Sequence, residues 1–169
     1  MVRARAVRVT GGTYAELAVS TNFSFLRGAS HPQEYVEQAI AYGLDAIGIA
    51  DRNTFAGVVR AYAAARVKPA RPGAEDIWNI PFLPGVRLVT EEGFEAVTYP
   101  MDRAGYGRLC RLLSTGNRRV RKGECRFSFA EMLDAAEGQV FIAMPPGRRP
   151  VPPASFSARV ETLATACVL

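Results

Sequence analysis

Two stretches decide the fold: YAELAVSTN (Tyr14–Asn22) and AIGIADRN (Ala46–Asn53). Each is a short apolar run that stops at polar residues, and each is followed by a segment whose apolar residues recur at helical spacing. Runs of this length between helices are typical of buried parallel strands, because helices on both faces of a sheet remove the need for apolar/polar alternation. The pattern predicts an α/β fold in which residues 20–22 and 51–52 lie together at the carboxyl ends of neighbouring strands. Functional sites of α/β folds gather at that edge.

Size and composition favour one domain with its own core, since the chain has 169 residues and 49% of them are hydrophobic. We expect an N-terminal segment at residues 1–12 and a domain at 13–169. The formal charge of +5 and the pI near 9.4 favour an acidic partner such as nucleic acid without requiring one. Three cysteines without metal-ligand spacing indicate reduced thiols. No apolar run has the length of a signal peptide or a membrane span, so we expect a cytoplasmic protein without membrane contact.

Local signals predict the helices and turns of the first half. Ser30 and Gln33 have capping-box spacing, which predicts a helix start, and Gly43 predicts the end of that helix. A second helix, rich in alanine, is predicted from Thr54 to about Arg66. Proline and glycine then predict a surface excursion over residues 68–79.

The second half contains further strand and helix signals. A strand is predicted at Gly85–Val89, and the alternating segment Phe94–Tyr99 predicts a half-exposed antiparallel partner after a turn. Asp102 is a good N-cap for a long helix, and residues 128–131 have capping-box spacing for a short one. The apolar run Gln139–Met144 predicts another strand.

One segment concentrates positive charge. A solvated loop is the favoured interpretation, and contact with a phosphate backbone is the alternative. The residues that would make such a contact are Arg118, Arg119, Arg121, Lys122 and Arg126.

Several motifs resemble the PHP (polymerase and histidinol phosphatase) domain at the N-terminus of bacterial DNA polymerase III alpha subunits, in particular those of the error-prone, damage-inducible branch. The motifs that carry the resemblance are NFSFL (Asn22–Leu26), GASHP (Gly28–Pro32), GIADRN (Gly48–Asn53), YPMDR (Tyr99–Arg103) and RKGEC (Arg121–Cys125). Each is weak alone, whereas their combination is specific. The resemblance implies an incomplete, distorted PHP-type (β/α) barrel with mostly parallel strands.

The resemblance also implies a metal cluster at the carboxyl ends of the strands, which hydrolyses phosphoesters in active members of the family. The family's paired histidines fall on Ala18 and Ser20, its Asp-His pair falls on Asp51 and Arg52, and a glutamate falls on Arg87. Hydrolysis needs several anionic or imidazole ligands to balance the metal charge, so we expect neither metal nor another cofactor. We expect Asp51 to accept hydrogen bonds from Arg87, Arg52 or backbone N–H groups. The expected remnant is a barrel-mouth pocket of Ser20, Asn22, Asp51, Arg52 and Arg87.

The sequence therefore favours a non-catalytic scaffold within an error-prone DNA polymerase, in the context of DNA replication and translesion repair. Its expected partners are the polymerase body or accessory proteins of a translesion complex. A phosphoesterase with rearranged metal ligands and a small basic module that binds DNA are the alternatives. The chain is shorter than the family's domain, so an unpaired strand edge is expected, and this edge favours a homodimer or strand exchange.

Overall fold

The computed structural model describes residues 14–67, 77–147 and 154–167. Within them the elements follow in the order β1 (Ala15–Val19), α1 (Pro32–Tyr42), β2 (Ala46–Arg52), α2 (Val58–Ala65), β3 (Arg66–Val67), β4 (Ile77–Trp78), β5 (Phe82–Val89), β6 (Glu95–Pro100), α3 (Arg103–Arg118), α4 (Phe129–Asp134), β7 (Gln139–Met144) and α5 (Ala154–Cys167). This confirms the α/β class. The predicted N-terminal segment, residues 1–12, lies outside the described residues.

The described residues form two compact units, one of residues 14–51, 55–67 and 77–85 and the other of residues 52–54, 86–147 and 154–167. Hydrogen bonds connect five strands in the order β1-β2-β5-β6-β7, and β5 contributes residues to both units. Strands β1 and β2 are parallel, whereas β5–β6 and β6–β7 are antiparallel. The strands are therefore mixed in direction rather than mostly parallel, because the short turn after β5 can only join antiparallel strands.

In the first unit, α1 and α2 pack with the parallel strands. The core includes Val36, Ile47, Ile49 and Ala61, each no more than 1% exposed. Helix α1 ends at Gly43 in the left-handed conformation, as predicted.

The start of α1 lies one residue later than predicted. His31 is the N-cap, and its backbone N–H donates to Glu34 over 2.8 Å, so the capping pair is 31/34 and not Ser30/Gln33. Pro32 explains the difference, since proline favours the first helical position and thereby makes the preceding residue the cap.

Two further predictions in the first unit need correction. Helix α2 spans Val58–Ala65 and so begins four residues after the predicted Thr54. The predicted excursion over residues 68–79 contains a strand, because β4 pairs antiparallel with β3. Residues 68–76 lie outside the described part of the chain.

In the second unit, the predicted hairpin is present, but its second strand is not half-exposed as predicted, because residues 96–99 are buried on both faces of the sheet. Arg87 of β5 faces Val97 of β6, and Val89 faces Glu95. Strand β7 has the predicted bounds and lies antiparallel to β6. The predicted N-cap of α3 is confirmed, since the Asp102 carboxylate accepts from the N–H of Gly105 over 2.6 Å.

The predicted capping box at α4 is also present. The Ser128 N–H donates to the Glu131 carboxylate over 2.8 Å, and the Glu131 N–H donates to the Ser128 hydroxyl over 3.2 Å. The described residues contain no helix that is both long and apolar enough to cross a membrane.

Candidate functional site

A buried carboxylate lies near the end of β2 in the first unit. Asp51 is only 1% exposed, and both of its oxygens accept hydrogen bonds from Thr21 or Ser24. Oδ1 accepts from the Thr21 backbone N–H over 2.7 Å and from the Ser24 hydroxyl over 2.5 Å, while Oδ2 accepts from the Thr21 hydroxyl over 2.8 Å. Thr21 and Ser24 are themselves buried. Both oxygens of Asp51 are thus solvated by protein donors, which is the condition for keeping a carboxylate away from water.

The donors belong to the loop that follows β1. This loop closes on itself, since the N–H of Ser24 donates to the Thr21 carbonyl and the N–H of Arg27 donates to the Ser24 carbonyl, both over 2.9 Å. Further along, the Asn22 N–H donates to the carbonyl of Ser30 over 2.9 Å. Asp51 therefore anchors a compact turn to the end of the neighbouring strand.

Gly57 shapes the same cluster from the start of α2. A Cβ at this position would lie 2.6 Å from Asp51 Oδ2 and 3.2 Å from Thr21 Oγ1. Only glycine admits this approach of the backbone to the carboxylate.

In the second unit, one carboxylate gathers both candidate arginines. Glu95 accepts from Arg87 through Nε at 2.9 Å and through a shorter contact with Nη2. Arg52 Nη1 lies 3.6 Å from Glu95 Oε1. The arginines that the sequence suggested as partners for Asp51 thus bind Glu95. Of the donors that were expected for Asp51, the backbone N–H of Thr21 represents the backbone alternative.

Asn53 fixes the chain directly after Arg52. It adopts a left-handed backbone conformation with φ of 51°, which asparagine tolerates better than most residues. Its amide donates to the Val89 carbonyl over 3.1 Å, and its Oδ1 accepts from the Val89 N–H over 2.8 Å. The side chain thereby pairs with β5 as a backbone segment would, and it delays the start of the second helix.

The other residues of the expected pocket have separate environments. Ala18 is exposed on β1, and Ser20 is half-buried. Asn22 is half-buried, and its Oδ1 has no hydrogen-bond partner among the described residues. The residues of the expected pocket belong to two units, and the pocket stays a prediction.

All five residues of the basic segment are exposed, and two of them lie beside a carboxylate. Arg119 Nη1 lies 2.6 Å from Glu131 Oε1, and Arg126 Nε lies 3.8 Å from Glu91 Oε1. Arg118, Arg121 and Lys122 are exposed. Two of the five proposed phosphate contacts therefore have a carboxylate neighbour.

Sequence reasoning missed Ser24 and Glu95. Ser24 follows Thr21 by three residues, the spacing of a tight turn, and that signal would have placed both hydroxyls beside the strand end. Glu95 is diagonal to Arg87 across the predicted hairpin, within the distance at which opposite charges on one face of a sheet interact.

The PHP domain family model matches residues 16–147. The chain belongs to the PHP domain family. It is 53% identical over 137 residues to the error-prone DNA polymerase of Rhodopseudomonas palustris (strain BisB5), a match that covers 80% of this chain and 12% of that polymerase. It is 48% identical over 134 residues to the error-prone DNA polymerase of Caulobacter vibrioides, covering 79% and 11%. This PHP chain thus spans about an eighth of the length of its curated relatives.

Solved structures share the fold. An amidohydrolase from Chromobacterium violaceum superposes with a TM-score of 0.63 at 17% identity, covering 90% of this chain and 74% of that one. A candidate metal-dependent phosphoesterase from Bifidobacterium adolescentis superposes with a TM-score of 0.63 at 16% identity, covering 92% and 75%. At these identities the likeness concerns the fold alone.

The residues that the resemblance assigns to the family's ligand positions do not fit the metal cluster that the family implies. Ala18 has no donor atom, and the guanidinium groups of Arg52 and Arg87 are fixed cations that repel metal ions. Asp51 could offer a carboxylate, but both of its oxygens already accept hydrogen bonds. Among the described residues, no group of three or more His, Cys, Asp or Glu side chains is placed to hold a metal ion.

Proposed function

We propose that this chain is a non-catalytic PHP domain that acts as a structural scaffold within an error-prone DNA polymerase. The observation that carries the proposal is the environment of Asp51, whose oxygens bind Thr21 and Ser24. At a position where the family uses a carboxylate for metal, this side chain fixes a loop. Identity of about 50% to error-prone DNA polymerases over most of the chain supports the polymerase context. The proposed partner is therefore the polymerase body.

The charge arrangement in the second unit supports the same function. Arg87 and Glu95 form a two-point contact, and both side chains are 25% exposed. This ion pair neutralises a cation that stands at a ligand position, so it stabilises the hairpin without any metal. Such an ion pair helps to fix the conformation of the hairpin, and a scaffold depends on a fixed conformation.

The test combines metal analysis with hydrolysis. The chain is dialysed against manganese or zinc, freed of unbound metal, analysed for metal content and assayed with bis(p-nitrophenyl) phosphate. We expect no stoichiometric metal and no hydrolysis above the buffer rate. Asp51→Asn and Glu95→Gln serve as matched variants, because one alters the family's ligand position and the other alters the charge pair. Metal-dependent hydrolysis by the native chain that disappears in Asp51→Asn would refute the scaffold function and favour a phosphoesterase with rearranged ligands.

A DNA-binding module is the remaining alternative. Its support is reduced by the pairing of Arg119 and Arg126 with carboxylates. Salt-sensitive binding to single-stranded DNA that is lost when Arg118, Arg121 and Lys122 are changed to glutamate would favour this module over the scaffold.

A further inference from the structure

The loop anchored by Asp51 presents two large apolar side chains to solvent. Phe25 is 84% exposed and Leu26 is 89% exposed. They are adjacent at the tip of the turn between β1 and α1, whereas the hydroxyl groups at its base point to Asp51. Single exposed apolar residues need no explanation, but two neighbours at this level of exposure on one turn form a compact apolar tip.

The tip is held in place rather than loosely tethered. Ser24 at its base is 2% exposed and bonds Asp51, and the N–H of Gly28 donates to the Ser24 carbonyl over 3.1 Å. Gly28 is packed so closely that a Cβ would lie 2.3 Å from the carbonyl oxygen of Ser20. A turn that is already ordered loses little conformational entropy when another surface covers it.

Leu26 has a φ of 60°, a left-handed conformation that is unfavourable for a leucine. The loop holds this conformation with the leucine side chain 89% exposed. Strained residues held by their surroundings are concentrated at sites of contact or chemistry. The carboxylate of Asp51 is already occupied by hydrogen bonds from this loop. The strain at Leu26 therefore points to contact with a partner and not to chemistry.

Positive charges flank the apolar tip. Arg27 follows Leu26 directly, is exposed, and forms no ion pair with any carboxylate in the described part of the chain. The guanidinium carbon of Arg60, on α2, lies 5.7 Å from the ring centre of Phe23. A complementary surface would therefore combine an apolar pocket with carboxylates at its rim.

We propose that residues 22–28 are a docking loop, and that Phe25 and Leu26 insert into an apolar pocket with an acidic rim on the polymerase body of an error-prone DNA polymerase. Asp51 is then a positioning residue for this contact. The proposal rests on the scaffold function and names the surface through which the scaffold acts. Its partner is a protein segment, since aliphatic and aromatic side chains on a rigid turn are suited to fill a protein pocket.

Two other occupants fit less well. Single-stranded DNA binds by stacking successive bases on aromatic faces, but the tip offers one exposed ring, that of Phe25, since Leu26 has no ring and Arg60 lies over the ring of Phe23. If the partner were a second copy of this chain, that copy would need a pocket elsewhere on its surface to accept the convex tip of the first copy. Both are outcomes of the experiment that follows.

The test is site-specific photocross-linking in a complete polymerase. The 137-residue matching segment of the Rhodopseudomonas palustris (strain BisB5) error-prone DNA polymerase is replaced with that of this chain, and p-benzoylphenylalanine is placed at position 25. The same probe at Tyr42, an aromatic residue 53% exposed on the same unit, is the control. We expect position 25 to cross-link within the molecule to the polymerase body, at a peptide rich in apolar and acidic residues, with position 42 giving no such product.

The remaining outcomes contradict the proposal. Cross-linking between two copies would assign the tip to a homodimer, cross-linking to added DNA would assign it to nucleic acid, and equal yields at positions 25 and 42 would leave the tip without a partner. DNA synthesis by the chimera reports that it is folded. If the chimera is inactive, a smaller graft of residues 22–28 alone into the same polymerase replaces it.

Leu26→Asn provides a second, opposing readout. Asparagine tolerates the left-handed conformation, so the melting temperature of this chain alone should stay constant or rise by up to about 3 °C. In the chimera the same substitution should abolish the cross-link from position 25. A retained cross-link would overturn the docking loop but leave the scaffold function intact, whereas metal-dependent hydrolysis would overturn the scaffold function without affecting the cross-link.

Discussion

The hydroxyl of Ser24 donates to the carboxylate of Asp51 over 2.5 Å and joins a loop to a strand end 27 positions along the chain. Thr21 adds a backbone and a hydroxyl donor to the same carboxylate. In a protein that held metal here, these oxygens would bind cations. In this chain they hold the turn after β1.

Asp51→Ala should destabilise the chain by about 2–4 kcal/mol, because the substitution leaves the donors of Thr21 and Ser24 without an acceptor in a buried site. Urea unfolding followed by circular dichroism measures the change. Asp51→Asn, which keeps one carbonyl oxygen, should cost less. An unchanged midpoint for Asp51→Ala would mean that water reaches the cluster.

Gly57→Ala should lower the unfolding free energy by about 1–3 kcal/mol, since its Cβ would lie 2.6 Å from Asp51 Oδ2. Gly107→Ala in α3 is the matched control, because the nearest atom to its Cβ is Arg111 Nη1 at 3.7 Å. The control should stabilise α3 by about 0.5–1 kcal/mol, the usual gain for glycine to alanine inside a helix. The check is the melting temperature of each variant relative to the native chain. Equal shifts of the same sign in the two variants would argue against close packing at Gly57.

Glu131 should make stability sensitive to acid. Its pKa lies below the ordinary value of 4.5, chiefly because the backbone N–H of Ser128 donates to it and because Arg119 lies beside it. The lowered pKa means that this stabilisation is complete above the unfolded value and is lost as pH falls through the folded one. The contribution of Glu131 to the free energy of unfolding should be below about 1 kcal/mol, since its ion pair with Arg119 is partly exposed.

The check is a comparison of urea unfolding for the native chain and Glu131→Gln at neutral pH and in the acid range. Glutamine keeps the capping geometry but does not titrate. The difference in unfolding free energy between the two proteins should therefore narrow in acid. A gap that is constant with pH would mean that Glu131 does not contribute through its charge.

Cys125 should be a slow nucleophile in the folded chain. Burial raises the pKa of its thiol to about 11, and its Sγ lies 3.7 Å from the Leu113 carbonyl. Relative to the ordinary value of 9.0, a shift of this size reduces the thiolate at pH 8 by about 100-fold. Alkylation by iodoacetamide, followed residue by residue with mass spectrometry in native and urea-unfolded protein, measures the protection. Equal rates in the two states would show that Cys125 is open to solvent.

Signals that depend on local chemistry predicted the fold well. Gly43, Asp102 and Ser128 mark helix ends through backbone geometry or capping atoms that involve only near neighbours. The alternation of β6 and the short turn before it also sufficed to predict an antiparallel hairpin. These features need no knowledge of distant residues.

The errors come from residues whose roles depend on distant partners. Asn53 mimics a strand backbone against Val89, so the second helix starts later than its alanine content suggests. Arg87 pairs with Glu95 on the adjacent strand, a partner that was not predicted for it. The pairing of Arg87 with Glu95 could have been predicted from the register of the hairpin. The contact of Asn53 with β5 could not have been predicted from local sequence.

We expect the carboxylate of Asp51, which the resemblance assigns to a metal-ligand position, to serve structure and not metal binding. Thermal unfolding of the native chain in millimolar manganese or zinc, compared with the same buffer containing EDTA, tests it most directly, because a metal that binds only the folded state raises the melting temperature by mass action. We expect the same melting temperature in all three conditions. A higher melting temperature with metal that is absent in Asp51→Asn would contradict it.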